Sequence, residues 1–187
     1  MAVHLIVADQ ELVFDNGPLC HFAREGWLGI LRTVVGTRTA VVPDTVVDEL
    51  RAGAQGRPHV QLVLDAPWLH HRSLVSETEL EAFTQFASLL VARGRNVGES
   101  GVLAYAKANG AVAVIDDGPA RKIARASGIS HIGTLGLLCE ALRESQLTVE
   151  LISTVADHLL EGEYRLPFQA GGFAKWAHDQ GLIPPAG

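Results

Sequence analysis

The chain has 187 residues, 48% hydrophobic and 19% charged, with a formal net charge of −6. This length suits one domain that buries its core without staples, and the negative charge excludes a protein that coats nucleic acid by electrostatics alone. An enzyme acting on nucleic acid stays open, because clustered metal-binding acids themselves lower the net charge. Only Cys20 and Cys139 are present, far apart and without a Cys-x-x-Cys spacing, which argues against a disulfide framework or a zinc site. No apolar run approaches the ~20 residues of a membrane span, and the opening MAVHLIVADQ lacks the basic flank and long apolar core of a signal peptide, so a cytoplasmic location is expected.

In chain order, two apolar runs, 3–8 and 12–14, compete for the first strand, and Gly17-Pro18 marks a turn before an amphipathic helical stretch over 18–35. Residues 39–42 form a β-branched run ended by Pro43, after which Asp44 or Thr45 can cap a helix that places Val46, Glu49 and Leu50 on one side. The Gly-, Pro- and His-rich span 53–74 is expected to be loop, with one strand near 60–64. Ser76 with Glu79 three residues on is a capping box, opening a helix toward Ala92 that Gly94 ends. The next helix, 97–108, carries Glu99 on the same face as Val102, Leu103 and Ala106. A carboxylate on an apolar stripe is costly unless it is paired or metal-bound. Strand 111–115, a helix 120–127 with Pro119 in its first turn, strand 129–132 and helix 135–144 follow, then C-terminal helices over 149–161 and 173–180. Strand–helix alternation implies a mostly parallel sheet covered on both faces, whose strand ends converge on one edge.

Five acids stand at such junctions: Asp15, Glu49, Glu99 and the doublet Asp116 and Asp117. All are oxygen donors with no His or Cys at a matching position, a set suited to Mg2+ or Mn2+. Like charges in one cleft raise one another's pKa, and a divalent cation resolves that conflict. A bound cation that activates water and stabilises a leaving oxygen performs phosphodiester cleavage. Each acid also has a structural alternative: an i, i+4 pair of Asp117 with Arg121, an N-cap before Pro119, a solvated Glu49, a turn at Asp15. Arg121 and Arg95 are candidate phosphate contacts, with a solvated helix face as the alternative. Ser100, beside Glu99, could orient a carboxylate or lie on the surface.

The stretches FDNGPLCHFAREGWLGIL, VVPDTVVDEL, VGESGVLAYAKANGAVAVIDDGPARKIA and ISHIGTLGLLCEAL, in that order, resemble the PIN-domain family, the ribonuclease fold of many prokaryotic type II toxins. The resemblance implies a three-layer α/β/α sandwich with a mostly parallel central sheet, as a single domain over 1–187 with a core at 12–142 and a helical extension at 148–180. It places the family's acids at Asp15, Glu49, Glu99 and Asp116 or Asp117, with the metal on Asp15, Glu99 and the doublet. This chain departs from the family in having Ile115 and a doublet where relatives have Thr or Ser before a single Asp, and in the added run at 3–8, which makes Asp9 a rival ligand. The resemblance further implies Mg2+- or Mn2+-dependent cleavage of RNA, a homodimer and a small antitoxin partner. The rival readings are a PIN-fold protein-binding module with little catalysis and, less well matched, a receiver-like phosphoacceptor. A P-loop or dinucleotide enzyme lacks its glycine motif here.

Overall fold

In a computed structural model of the chain, residues 10–91 and 96–183 are described. The run 3–8, Asp9, Arg95, Ala92 and Gly94 lie outside them. Among the described residues, five parallel strands are β1 (Leu12–Phe14), β2 (Ala40–Pro43), β3 (Leu69–Arg72), β4 (Val112–Val114) and β5 (His131–Ile132). They lie in the order β3-β2-β1-β4-β5. The helices are α1 (Asn16–Arg24), α2 (Leu28–Val35), α3 (Asp44–Gly53), α4 (Pro58–Leu64), α5 (Glu77–Leu90), α6 (Val97–Asn109), α7 (Gly118–Ala126), α8 (Thr134–Arg143), α9 (Val149–Glu161) and α10 (Phe173–Asp179). Together they form the expected α/β/α sandwich, with a sheet that is wholly parallel among the described strands.

The strands are fully apolar because both faces of a parallel sheet are covered. Every residue of β1, β2 and β4 is buried. The chain steps outward from β1 to β2 and β3, then returns to β4 on the opposite side of β1. Connections from β1 and β4 therefore leave in opposite directions, and the carboxyl ends of these two strands flank a topological switch point, where open α/β sheets bind ligands.

Three expectations are corrected. The run 60–64 is part of helix α4, not a strand: Pro58 sits in its first turn, and Val60 and Val63 are its buried residues. Strand β3 lies instead at Leu69–Arg72, inside the span expected to be loop. The stretch 18–35 is two helices, because Gly26 adopts φ +77° between them, a conformation that favours glycine. The capping box at Ser76 and Glu79 forms as expected.

Candidate active site

Asp15 follows β1 directly, and its backbone N–H donates to the Val114 carbonyl at 3.1 Å, stitching the ends of β1 and β4 together. Its side chain caps α1, with Oδ2 accepting from the Gly17 N–H at 3.4 Å. The residue is only 7% exposed, and Oδ1 is buried with no hydrogen-bond partner. Burial, then the charge of Glu99, push the carboxyl up to about 7, with Glu49 adding to the rise and the Asn16 and Gly17 amides opposing it. A carboxyl so placed is suited to a cation or a proton.

Glu49 projects from α3 to the start of α6. Its Oε1 accepts from the Gly98 N–H at 2.8 Å, and its Oε2 from the Asn16 amide at 3.2 Å. No side chain of α6's own N-cap residue, Asn96, caps that helix, so Glu49 satisfies one of its free amides across the chain. The approach is close: a Cβ on Gly98 would stand 2.6 Å from Glu49 Oε2, and one on Gly101 would collide with the Thr45 hydroxyl. These two glycines let α6 lie against α3, which delivers Glu99 to the group. Glu99 is half-buried, and burial followed by Glu49 and Asp117 raises its pKa against the pull of its own amide.

The doublet divides. Asp117 caps α7, accepting from the Ala120 N–H at 2.8 Å, and it is the member of the pair whose charge acts on Glu99. Asp116 turns toward α8, where it accepts from the Thr134 N–H at 2.8 Å and from the Thr134 hydroxyl at 2.7 Å. Gly133 leaves room for this, since a Cβ there would meet Asp116 Oδ1 at 2.7 Å and the Arg121 guanidinium at 3.4 Å. The anticipated Asp117–Arg121 ion pair is not among those formed by the described residues. Ser100 is fully buried and donates to the Asn96 carbonyl within its own helix at 2.8 Å, so it orients no carboxylate.

The structure therefore brings Asp15, Glu49, Glu99 and Asp117 into one interacting group, with Asp116 and Arg121 at its edge. Asn16, Thr134 and Tyr164 belong to the same neighbourhood and escaped the sequence reading. Thr134 and Asn16 join it through contacts between elements distant in sequence, which no local pattern marks. Tyr164, whose hydroxyl faces Asp116 and Thr134, carries no local signal because it arrives from the C-terminal extension. Among the described residues, no three His, Cys, Asp or Glu side chains close on one point at metal-ligand spacing. The donor chemistry nonetheless fits a hard divalent cation, through the unpartnered buried oxygen of Asp15 beside the Glu99 carboxylate.

A parallel α/β sandwich with carboxylates gathered at its switch point defines a class of α/β proteins with an acidic group at their strand ends. Within it, a family model described as a PIN domain matches residues 11–170, and the chain belongs to that family. One chain of the crystal structure of VapBC2 from Rickettsia felis, bound to a DNA fragment from their promoter, is similar at a TM-score of 0.49 and 13% identity, over 65% of this chain and 97% of that one. No curated protein matches the chain.

Proposed function

We propose that this PIN-domain protein is a metal-dependent endoribonuclease, the toxin of a toxin–antitoxin pair, working as a single cytoplasmic domain with a core at 12–142 and a helical extension at 148–180. The observation that carries the reading is the buried, unpartnered Oδ1 of Asp15 at the switch point, on a carboxyl pushed up to about 7 by burial and by Glu99. Asp15, Glu99 and the doublet, through Asp117, would hold Mg2+ or Mn2+, with Asp116 beside them. When bound, the cation supplies an activated water and charge neutralisation at the scissile phosphate.

The chain's own residues prepare the site. Glu49 holds the α6 amide and the Asn16 side chain, which keeps Glu99 facing Asp15. Asp116, fixed by Thr134, holds the β4 end against the start of α8. Arg121, at the edge of the acid group, would contact the phosphate; Arg95, the other expected phosphate contact, is outside the described residues. Purified protein is expected to cut single-stranded RNA with Mg2+ or Mn2+ and to stop with EDTA. Persistent cleavage in EDTA contradicts the metal dependence.

A second reading, a PIN-fold protein-binding module with little catalysis, draws support from one observation. Glu49, Asp116 and Asp117 are each already bonded to a backbone N–H, and the described side chains assemble no ligand triad. Metal binding without cleavage of any RNA pool would favour it.

A further inference from the structure

Beside the acid group, β5, α7, α8 and the segment after α9 line an open cavity of about 870 Å3 that shares Asp116 and Arg121 with it. Three arginines line it from three elements: Arg121 on α7, Arg143 at the end of α8 and Arg165 beyond α9. Among the described residues none of the three enters an ion pair. Against them stand only Asp116, which Thr134 already occupies, and Glu163; His21, whose pKa burial and Arg24 lower, lines the wall as a neutral ring. In a protein of net charge −6, this is a local reversal of sign. Unpaired guanidinium forks in one cavity match a phosphate, which they bind bidentately.

The remaining wall is aromatic and apolar, built by Trp176, Tyr164, Leu135 and Leu166. Trp176 is half-buried and braced on Phe168 at 5.4 Å between ring centroids. Such a wall accepts a nucleobase, which stacks on an aromatic ring through its π-face. The volume lies in the ~300–1,000 Å3 range of small-ligand sites. Glu163 takes φ +62° just past the C-cap of α9, and the turn it makes leads Tyr164 and Arg165 into the cavity wall. Trp176, Gln180 and Leu182 lie beyond the last residue that the family model matches, whereas Leu135, Tyr164 and Leu166 lie within it.

We propose that the cavity is a nucleotide subsite, holding one nucleotide of a single-stranded RNA next to the phosphodiester offered to the acid group, with its base against Trp176 and its phosphate on Arg143 and Arg165. The inference rests on the ribonuclease reading and names where that enzyme would read its substrate. An acidic peptide satisfies the arginines but leaves the aromatic wall without a matching group.

The test is isothermal titration calorimetry of the full chain in EDTA with the four nucleoside 5′-monophosphates, inorganic phosphate and hexaglutamate. At least one mononucleotide should bind tenfold or more tightly than inorganic phosphate. Arg165→Ala and Arg143→Ala, both exposed positions, should each weaken it at least fivefold with unchanged circular dichroism, and Trp176→Phe should keep most of the affinity. Absence of mononucleotide binding, equal affinity for inorganic phosphate, indifference to both arginine variants, or tighter binding of hexaglutamate overturns the proposal. Because EDTA removes cleavage from the measurement, the two readings fail separately. A chain that binds nucleotide but cuts no RNA loses the nuclease reading alone, and one that cuts RNA but binds no nucleotide loses the subsite alone.

Discussion

At the scale of single residues, Asp15 concentrates the conflict between stability and function. Its carboxyl is raised from 3.8 to about 7 in the folded chain. Between those values the folded state holds a proton that the unfolded state releases, so stability falls as pH rises through that window and the loss is complete above about 7. Asp15→Asn removes the buried charge. In EDTA at pH 8 it should therefore be more stable than the wild type in urea unfolding, by on the order of a few kcal/mol. Mn2+ should raise the melting temperature of the wild type but not of the variant; equal Mn2+ shifts in both would exclude Asp15 as a ligand. The residue itself was legible in the sequence from its place between an apolar run and Gly17-Pro18. The division of labour in the doublet was not, because it depends on Thr134 and Glu99, which are distant in sequence.

At the scale of elements, the start of α6 is held by α3. Gly98→Ala inserts a methyl 2.6 Å from Glu49 Oε2, so Glu49 must leave the Gly98 amide or α6 must shift. The expected cost is about 1–3 kcal/mol in urea unfolding, with a loss of cleavage larger than this destabilisation explains. Wild-type activity in the variant would mean that the α3–α6 contact does not position Glu99.

Helix α5 gives an independent pH signature. Burial alone would push the Glu79 carboxyl up, but hydrogen bonds from Asn109, Ser76 and Val75 outweigh it and hold it at about 2. This depressed value contributes stability that is present above about 4.5 and lost as pH falls from there toward 2. Glu79→Gln should flatten the fall of the urea midpoint in that window; an unchanged slope contradicts the assignment. The capping box was legible because its two residues sit three apart. Strand β3 was not, because Leu69 alone is buried while His70, His71 and Arg72 are exposed, leaving no alternation to detect. The run at 60–64 was ambiguous by nature, since a short apolar run suits either a strand or a buried helix face.

At the scale of the molecule, strand–helix alternation carried the layer architecture, while the route of the C-terminal segment back to α8 had no sequence pattern to announce it. Among the described residues no helix is long and apolar enough to cross a membrane. Leu62, Val75, Leu80 and Leu89 are large hydrophobic residues left exposed, three of them on or beside α5. As part of the proposed function, they are candidate contacts for a second copy or for an antitoxin. Light scattering should find a dimer at micromolar concentration, or a small protein should co-purify from the native operon. A strict monomer with no such companion counts against both.

The proposed function requires the carboxylate group at the switch point to hold a divalent cation through which RNA is cut. Glu99→Gln tests it most directly, since the change keeps the side chain's shape and removes one charge from the group. With Mn2+ supplied and folding checked by circular dichroism, the variant should bind Mn2+ at least tenfold more weakly by calorimetry and cleave no single-stranded RNA under conditions where the wild type does. A folded Glu99→Gln protein that binds Mn2+ and cleaves RNA as the wild type does would contradict the account.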